Sequence, residues 1–230
     1  MNQNFEQSIV FGNDGALIRH RVLRNTYWLL ALSMVPTILG AWLGVVLNFS
    51  LFPGRPGMSF IVFMVVAFGF MFAIEKTKES AIGVAVLLGF TFFMGLMLSR
   101  LISYTLGYSN GGTLIMTAFG GTAAILAVMA TIATTSKRDF SGMGKWLFVG
   151  LMVIVVASIA NIFFQIPALY LTVSVIAIGI FSAYILYDVQ QVINGGETNY
   201  ISATLRIYLD VYNIFVNLLS LLGIFGGNRD

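Results

Sequence analysis

Long apolar runs separated by short polar or glycine-containing gaps set the pattern of this chain. Seven can be traced, over residues 26–47, 57–74, 80–103, 113–135, 145–164, 168–187 and 203–224. Each approaches the roughly 20 residues that an α-helix needs to cross a hydrocarbon core about 30 Å thick. The pattern predicts an all-α, polytopic membrane protein, a seven-helix transmembrane bundle spanning residues 26–225. Residues 1–25 are read as a cytoplasmic N-terminal tail, loose over its polar, mixed-charge first part, 1–18. The first apolar run covers 22 residues. That exceeds the h-region of a cleavable signal peptide, and no small-x-small site follows it, so it is expected to remain as a span. No internal repeat and no second domain is apparent.

The first six runs are strongly apolar, whereas the seventh carries polar residues inside it. Arg206, Asp210, Asn213, Asn217 and Ser220 recur at spacings of four, three, four and three. That periodicity lines all five along one helix face, with Ile207, Leu209, Val211, Ile214, Phe215, Leu218 and Leu221 over much of the rest. A polar stripe is costly against acyl chains, so the seventh helix is expected at the centre of the bundle, its stripe turned to the interior or to a wet cavity. Asn213 and Asn217 are expected to hydrogen-bond neighbouring helices. Asp210 has two readings, an ion pair with Arg206 one turn earlier or a functional acid.

Small residues add packing expectations. Gly40 and Gly44 stand at GxxxG spacing in the first run, and Thr113, Thr117, Gly120, Ala124, Ala127, Thr131 and Thr135 share a face of the fourth. Small side chains let helix backbones approach where lipid supplies no hydrophobic drive, and packing within the bundle is expected here rather than dimerisation.

Charge sharpens the topology. Only 9% of residues are charged and 58% are hydrophobic, against roughly 25% charged in soluble domains. With seven crossings, Arg19, Arg21, Arg24, Lys76, Lys78, Lys137, Arg138, Lys145 and Arg206 fall on one side, and Arg55, Arg100 and Arg229 on the other. Nine against three is a positive-inside bias; it places the N-terminus in the cytoplasm and the C-terminus in the periplasm. The net charge of +3 therefore reflects topology, and no nucleic-acid partner is read from it.

The same inventory excludes several chemistries. There is no cysteine, and the one histidine, His20, lies outside every apolar run. Thiol catalysis, Cys-based metal sites, serine–histidine triads and intramembrane histidine relays are therefore not available. No cofactor is expected.

The ionisable residues inside the spans are the candidates for function. Asp188 closes the sixth run in Tyr184-Ile185-Leu186-Tyr187-Asp188, and Asp210 follows after a loop containing Gly195-Gly196. In antiparallel neighbours both carboxyls fall near the cytoplasmic end. Two carboxylates meeting in low dielectric resist ionising together and titrate as a unit, which suits a proton switch. Carboxylate oxygens are also what Ca²⁺ requires, so the pair is a candidate for transient contact with that ion. The plain alternative for Asp188 is a helix-end residue facing water. A smaller set, Ser158, Asn161 and Gln165, lines the end of the fifth run; it reads either as part of an exit path or as residues that satisfy one another.

These segments resemble a known family. Tyr184 to Asp188 followed by Tyr208-Leu209-Asp210-Val211-Tyr212-Asn213-Ile214-Phe215 is similar to the C-terminal signature of the Bax inhibitor-1 (transmembrane Bax inhibitor motif) family. The runs starting at Val22, Ala160, Gly195 and Tyr212 resemble its bacterial YccA-like branch, so the likeness reaches from the first span to the C-terminus. The resemblance implies seven helices with the last one central, wrapped by the other six. It implies two activities: a pH-gated Ca²⁺ or cation leak controlled by an aspartate pair at the positions of Asp188 and Asp210, with Arg206, Asn213 and Asn217 as supporting polar residues; and, in the YccA-like branch, modulation of the membrane-anchored protease FtsH with its HflK/HflC partners. Leak-type members carry arginines at the end of the second helix that latch onto the aspartates. Here the segment reads Glu75-Lys76-Thr77-Lys78-Glu79.

The expected function is thus a non-enzymatic inner-membrane modulator of FtsH, with the ion leak as the alternative. A remote alternative is an intramembrane aspartyl protease, which Tyr187-Asp188 would suit. Arg206-Ile207-Tyr208-Leu209-Asp210 stands where such enzymes need Gly-x-Gly-Asp, and Pro167-Ala168-Leu169 precedes both aspartates instead of following them.

Overall fold

The computed structural model describes residues 3–228, with side chains from Arg19 onward except that of Pro56; Arg229, assigned above to the periplasmic side, lies outside these residues. Seven helices follow one another: α1 (Gln3–Val46), α2 (Pro56–Thr77), α3 (Ala81–Leu106), α4 (Gly111–Thr135), α5 (Gly144–Phe164), α6 (Pro167–Asn194) and α7 (Tyr200–Gly226), with a 3₁₀ turn at Ser141–Met143. All seven contain a stretch long and apolar enough to cross a membrane. Pro56 and Pro167 begin α2 and α6, where the missing N–H has no helical partner to lose. The segment read as a loose tail continues α1 upstream of its membrane stretch, Arg19–Val46. No proline interrupts it before Pro36.

The least hydrophobic span, α7, is also the most buried. It touches α1, α2, α3, α4 and α6. The wrapping is by five helices and not six, because α5 packs only on α6 and on the 3₁₀ turn before it. The core follows from this arrangement: Ile201, Ile207, Tyr208 and Ile214 of α7 are buried against Leu87 and Phe90 of α3, Leu29 and Leu30 of α1, and Ile185 and Val189 of α6.

Glycine decides where backbones meet. A Cβ on Gly40 would collide with the carbonyl oxygen of Phe92, one on Gly44 with Ser99, and one on Gly95 with the carbonyl of Thr37. The GxxxG pair of α1 and the facing glycine of α3 thus form a reciprocal close contact inside one chain. The small-residue face of α4 behaves differently from expectation. Thr113, Thr117, Gly120, Ala124, Ala127, Thr131 and Thr135 are all exposed, and nothing lies within 4 Å of a Cβ built on Gly120. α4 packs through the opposite face, Leu114, Ala118, Thr122 and Ala133. The threonines on the outer face need no partner helix. Thr117 and Thr131 donate to Thr113 and Ala127 carbonyls at 2.8 and 2.7 Å, so their hydroxyls are satisfied inside α4.

Enlarging these two kinds of glycine should have opposite consequences. Gly95→Leu is expected to destabilise the bundle by about 2 kcal/mol or more, as overpacking against backbone does, while Gly120→Leu changes stability by less than about 0.5 kcal/mol. Thermal unfolding of the purified variants in detergent measures both, and equal midpoints would contradict the α1–α3 contact.

Candidate functional site

The turn between α6 and α7 positions the ionisable residues. Gly195 ends α6 in the left-handed region, at φ +79°, and its amide reaches the carbonyls of Gln191 and Val192. Asn199 then caps α7, its side-chain oxygen accepting from the amides of Ile201 and Ser202 at 2.9 and 3.1 Å. Its side-chain nitrogen donates to the carbonyl of Lys78 at 2.9 Å and to Glu79 Oε1 at 3.2 Å, tying this turn to the α2–α3 connection. With so short a turn α6 and α7 run antiparallel in close contact.

Asp188 and Asp210 consequently face one another. Their carboxyls are close enough to act directly on one another, and the residues are only 7% and 5% exposed. No N–H or hydroxyl among the described residues donates to Asp210 Oδ2. Asp188 therefore does not stand at a helix end in free water. The charged and titratable groups that act on the pair are Arg206 and Glu197, both on Asp188, and Tyr184, which lies beside both aspartates. Among the described residues no cluster of three or more acidic or histidine side chains is present. Ca²⁺ takes six to eight oxygens, so these two carboxylates would supply only part of its shell.

The supporting stripe is arranged otherwise than its spacing suggested. Arg206 is exposed and pairs with Glu197 Oε2 at 3.1 Å, not with Asp210. The turn brings Glu197, itself largely covered, back over the first turns of α7, and the guanidinium of Arg206 stays exposed and keeps its water. Asn213 and Asn217 donate to the carbonyls of Leu209 and Asn213 within α7, each at 2.8 Å, and not to neighbouring helices. Their short amides reach the carbonyl one turn back, which satisfies them locally. Nor do lysines from the end of α2 reach the carboxyls: Lys78 pairs with Glu75, and Lys76 sits over the Phe72 ring. The cation whose field reaches Asp188 belongs to α7 itself. At the far end of α5, Asn161 Oδ1 accepts from the Ile166 amide at 2.9 Å and stabilises the turn into α6.

Two sets of residues escaped the sequence reading. Thr204, Tyr208 and Tyr212, four residues apart, line the face of α7 opposite Asp210. Thr204 Oγ1 donates to the Tyr200 carbonyl at 2.7 Å and lies 3.3 Å from the Thr26 carbonyl of α1, Tyr208 Oη meets Thr37 Oγ1 at 2.9 Å, and Tyr212 Oη donates to the Met94 carbonyl at 3.3 Å. The four-residue spacing of hydroxyls was the available signal. Gln190, 5% exposed, binds the α4–α5 loop with both ends of its amide, accepting from the Phe140 amide and donating to the Arg138 carbonyl at 2.7 Å. Nothing in the sequence distinguishes it from a surface glutamine.

Comparison with known proteins agrees with this architecture. A family model described as "Inhibitor of apoptosis-promoting Bax1" matches residues 19–227. The "Modulator of FtsH protease YccA" of Escherichia coli strain K12 is 38% identical over 207 residues, covering 90% of this chain and 91% of that protein. The "Inner membrane protein YccA" of a second Escherichia coli strain shows the same identity and coverage. An "Uncharacterized membrane protein" of Vibrio cholerae is 34% identical over 216 residues, 94% of each chain.

Replacing Gln190 by Ala removes both hydrogen bonds to the α4–α5 loop, a loss of roughly 1–3 kcal/mol of local order. Trypsin cleavage after Lys137 or Arg138 in the full-length protein should then be several-fold faster. An unchanged cleavage rate would show that the amide does not hold the loop.

Proposed function

The chain belongs to the Bax inhibitor-1 family, and on that premise we propose that it is a non-enzymatic, multi-pass inner-membrane protein that modulates an FtsH-type protease. The reading rests on one observation: a relative matched along nine-tenths of both chains is named a modulator of FtsH. In this reading the N-terminus is cytoplasmic and the C-terminus periplasmic. The part of α1 upstream of Arg19 then stands on the protease side of the membrane and serves as the handle. FtsH and its HflK/HflC companions are the partners.

A second reading is favoured by the carboxyl contact of Asp188 and Asp210. It makes the pair the gate of a pH-controlled Ca²⁺ or cation leak. At low pH the shared proton holds α6 to α7. Raising the pH removes it and leaves two adjacent anions, whose repulsion in a buried site loosens the seam. An ion passing there meets two carboxylates as transient ligands. Arg206, held by Glu197, modulates the same site from the rim. The aspartyl protease reading draws on the same two carboxyls but lacks the glycine-flanked aspartate that it needs, with Tyr208 and Leu209 before Asp210.

Affinity purification of the tagged full-length protein from native membranes should enrich FtsH together with HflK/HflC, and deleting residues 1–18 should abolish that enrichment without preventing insertion. Recovery no better than with an unrelated seven-helix protein would end the first reading. For the second, Ca²⁺ flux into liposomes is expected to rise with pH for the wild-type protein and to lose that dependence in Asp210→Asn. A variant whose flux and pH profile match wild type would remove the pair from the gate.

A further inference from the structure

The end of the bundle opposite the aspartates carries a groove of about 250 Å³. Its walls come from the α1–α2 connection, the first turns of α2 and the last third of α3, and Tyr212 of the central helix borders it. Phe60, Phe63, Leu96 and Met97 make it mostly apolar, and Arg100 and Ser50 stand at it as polar groups. We propose that this groove is a phospholipid site, with the phosphate on the Arg100 guanidinium and the first part of one acyl chain against the apolar walls.

Three observations carry the assignment. Arg100 is exposed and makes no hydrogen bond or ion pair with any described residue, and the Ser50 hydroxyl is likewise without a hydrogen bond. The charge therefore has no counter-ion from the protein, while the fork of a guanidinium matches phosphate oxygens bidentately. The second observation is depth. Arg100 lies 19 residues beyond Ala81, the first residue of α3, a rise of about 29 Å. That is close to the full hydrocarbon thickness of about 30 Å, so Arg100 reaches the far phosphate layer. The third is shape. Snorkelling to bulk water would accommodate the charge alone, but it does not account for a cavity lined by six large apolar side chains directly beside it. The volume falls just below that of pockets that enclose a drug-sized ligand whole, so it takes a segment of a chain whose remainder stays in the bilayer. Ser59, also in the wall of the groove, donates to the Phe52 carbonyl at 3.2 Å and ties the loop to the first turn of α2.

Native mass spectrometry of the full-length protein in detergent tests this with four probes added separately: phosphatidylglycerol, phosphatidylethanolamine, diacylglycerol and inorganic phosphate. One phospholipid molecule should be retained, and diacylglycerol, which lacks the phosphate, retained about tenfold less or weaker still. Arg100→Gln should lower phospholipid retention by about tenfold, and Arg100→Lys by less, since it keeps the charge and loses the fork. Arg55→Gln, a basic residue of the same connection that does not line the groove, should leave retention unchanged. The proposal is overturned if diacylglycerol is retained as well as phospholipid, if Arg55→Gln acts like Arg100→Gln, or if millimolar phosphate displaces the lipid and is bound in its place. If Arg100→Gln does not yield a monodisperse protein, Arg100→Lys and Ser50→Ala serve instead, and wild-type retention in both would equally overturn it.

Discussion

Hydrocarbon offers no hydrogen-bond partner, so every polar group inside a span has to be satisfied within the protein. The whole bundle is arranged around this demand as α7 makes it. That helix carries hydroxyls on one face and a carboxyl on the other, and it can meet neither need at the lipid boundary. Thr204, Tyr208 and Tyr212 reach backbone and hydroxyl oxygens of α1 and α3, and Asp210 reaches Asp188 of α6. The other helices follow from these contacts: α1 and α3 come close enough to present Thr37 and Met94 together only because Gly40 and Gly95 remove the side chains between them. The small residues of α1 and the tyrosines of α7 are two halves of one device.

The two faces of α7 differ in what can undo them. Interhelical hydrogen bonds in membranes are worth about 0.6 kcal/mol on average, do not depend on pH near neutrality, and are shared here over three positions. In the leak reading, the carboxyl pair is a single interaction that turns on one proton. Two unit charges about 4 Å apart repel by roughly 4 kcal/mol at an effective dielectric of 20, more than several such hydroxyl bonds together. In the leak reading, a change in protonation would therefore act on the α6–α7 seam and leave α7 fixed to α1 and α3.

Much of this was legible in the residues, and the limits are instructive. The helices were readable because bilayer thickness sets their length, and the central place of α7 because a polar stripe has nowhere else to go. The meeting of Asp188 and Asp210 was readable too, since a glycine-containing turn between antiparallel helices leaves them on the same level. Destinations of long or short side chains were not. Arg206 found Glu197 because a turn folds back over it, and Asn213 and Asn217 found carbonyls of their own helix. Periodicity reports which face a residue occupies and is silent on whether its polar atom bonds outward or backward. Tyr208 and Tyr212 were read only as part of the family signature although their hydroxyls anchor the core, and the α4 face of small residues read as an interface while Thr117 and Thr131 were already satisfied internally.

The connectivity of the bundle also decides which parts belong together. α1, α3 and α7 form one group, joined by the glycine contact and the hydroxyl ladder. α5 packs only on α6 and its own leading turn, and Gln190 of α6 holds the loop that joins α4 to α5. α5, α6 and the end of α4 are thereby a second group, tied at one point to the side chain two residues from Asp188. The carboxyl pair lies on the seam between the two groups. Arg100 and its groove lie beside α1, α2 and α3, and Tyr212, near the middle of α7, both borders the groove and holds α3. On the two proposals, a ligand there bears on the hydroxyl face of α7 and a proton on its carboxyl face, so the two faces of one helix would answer to different signals.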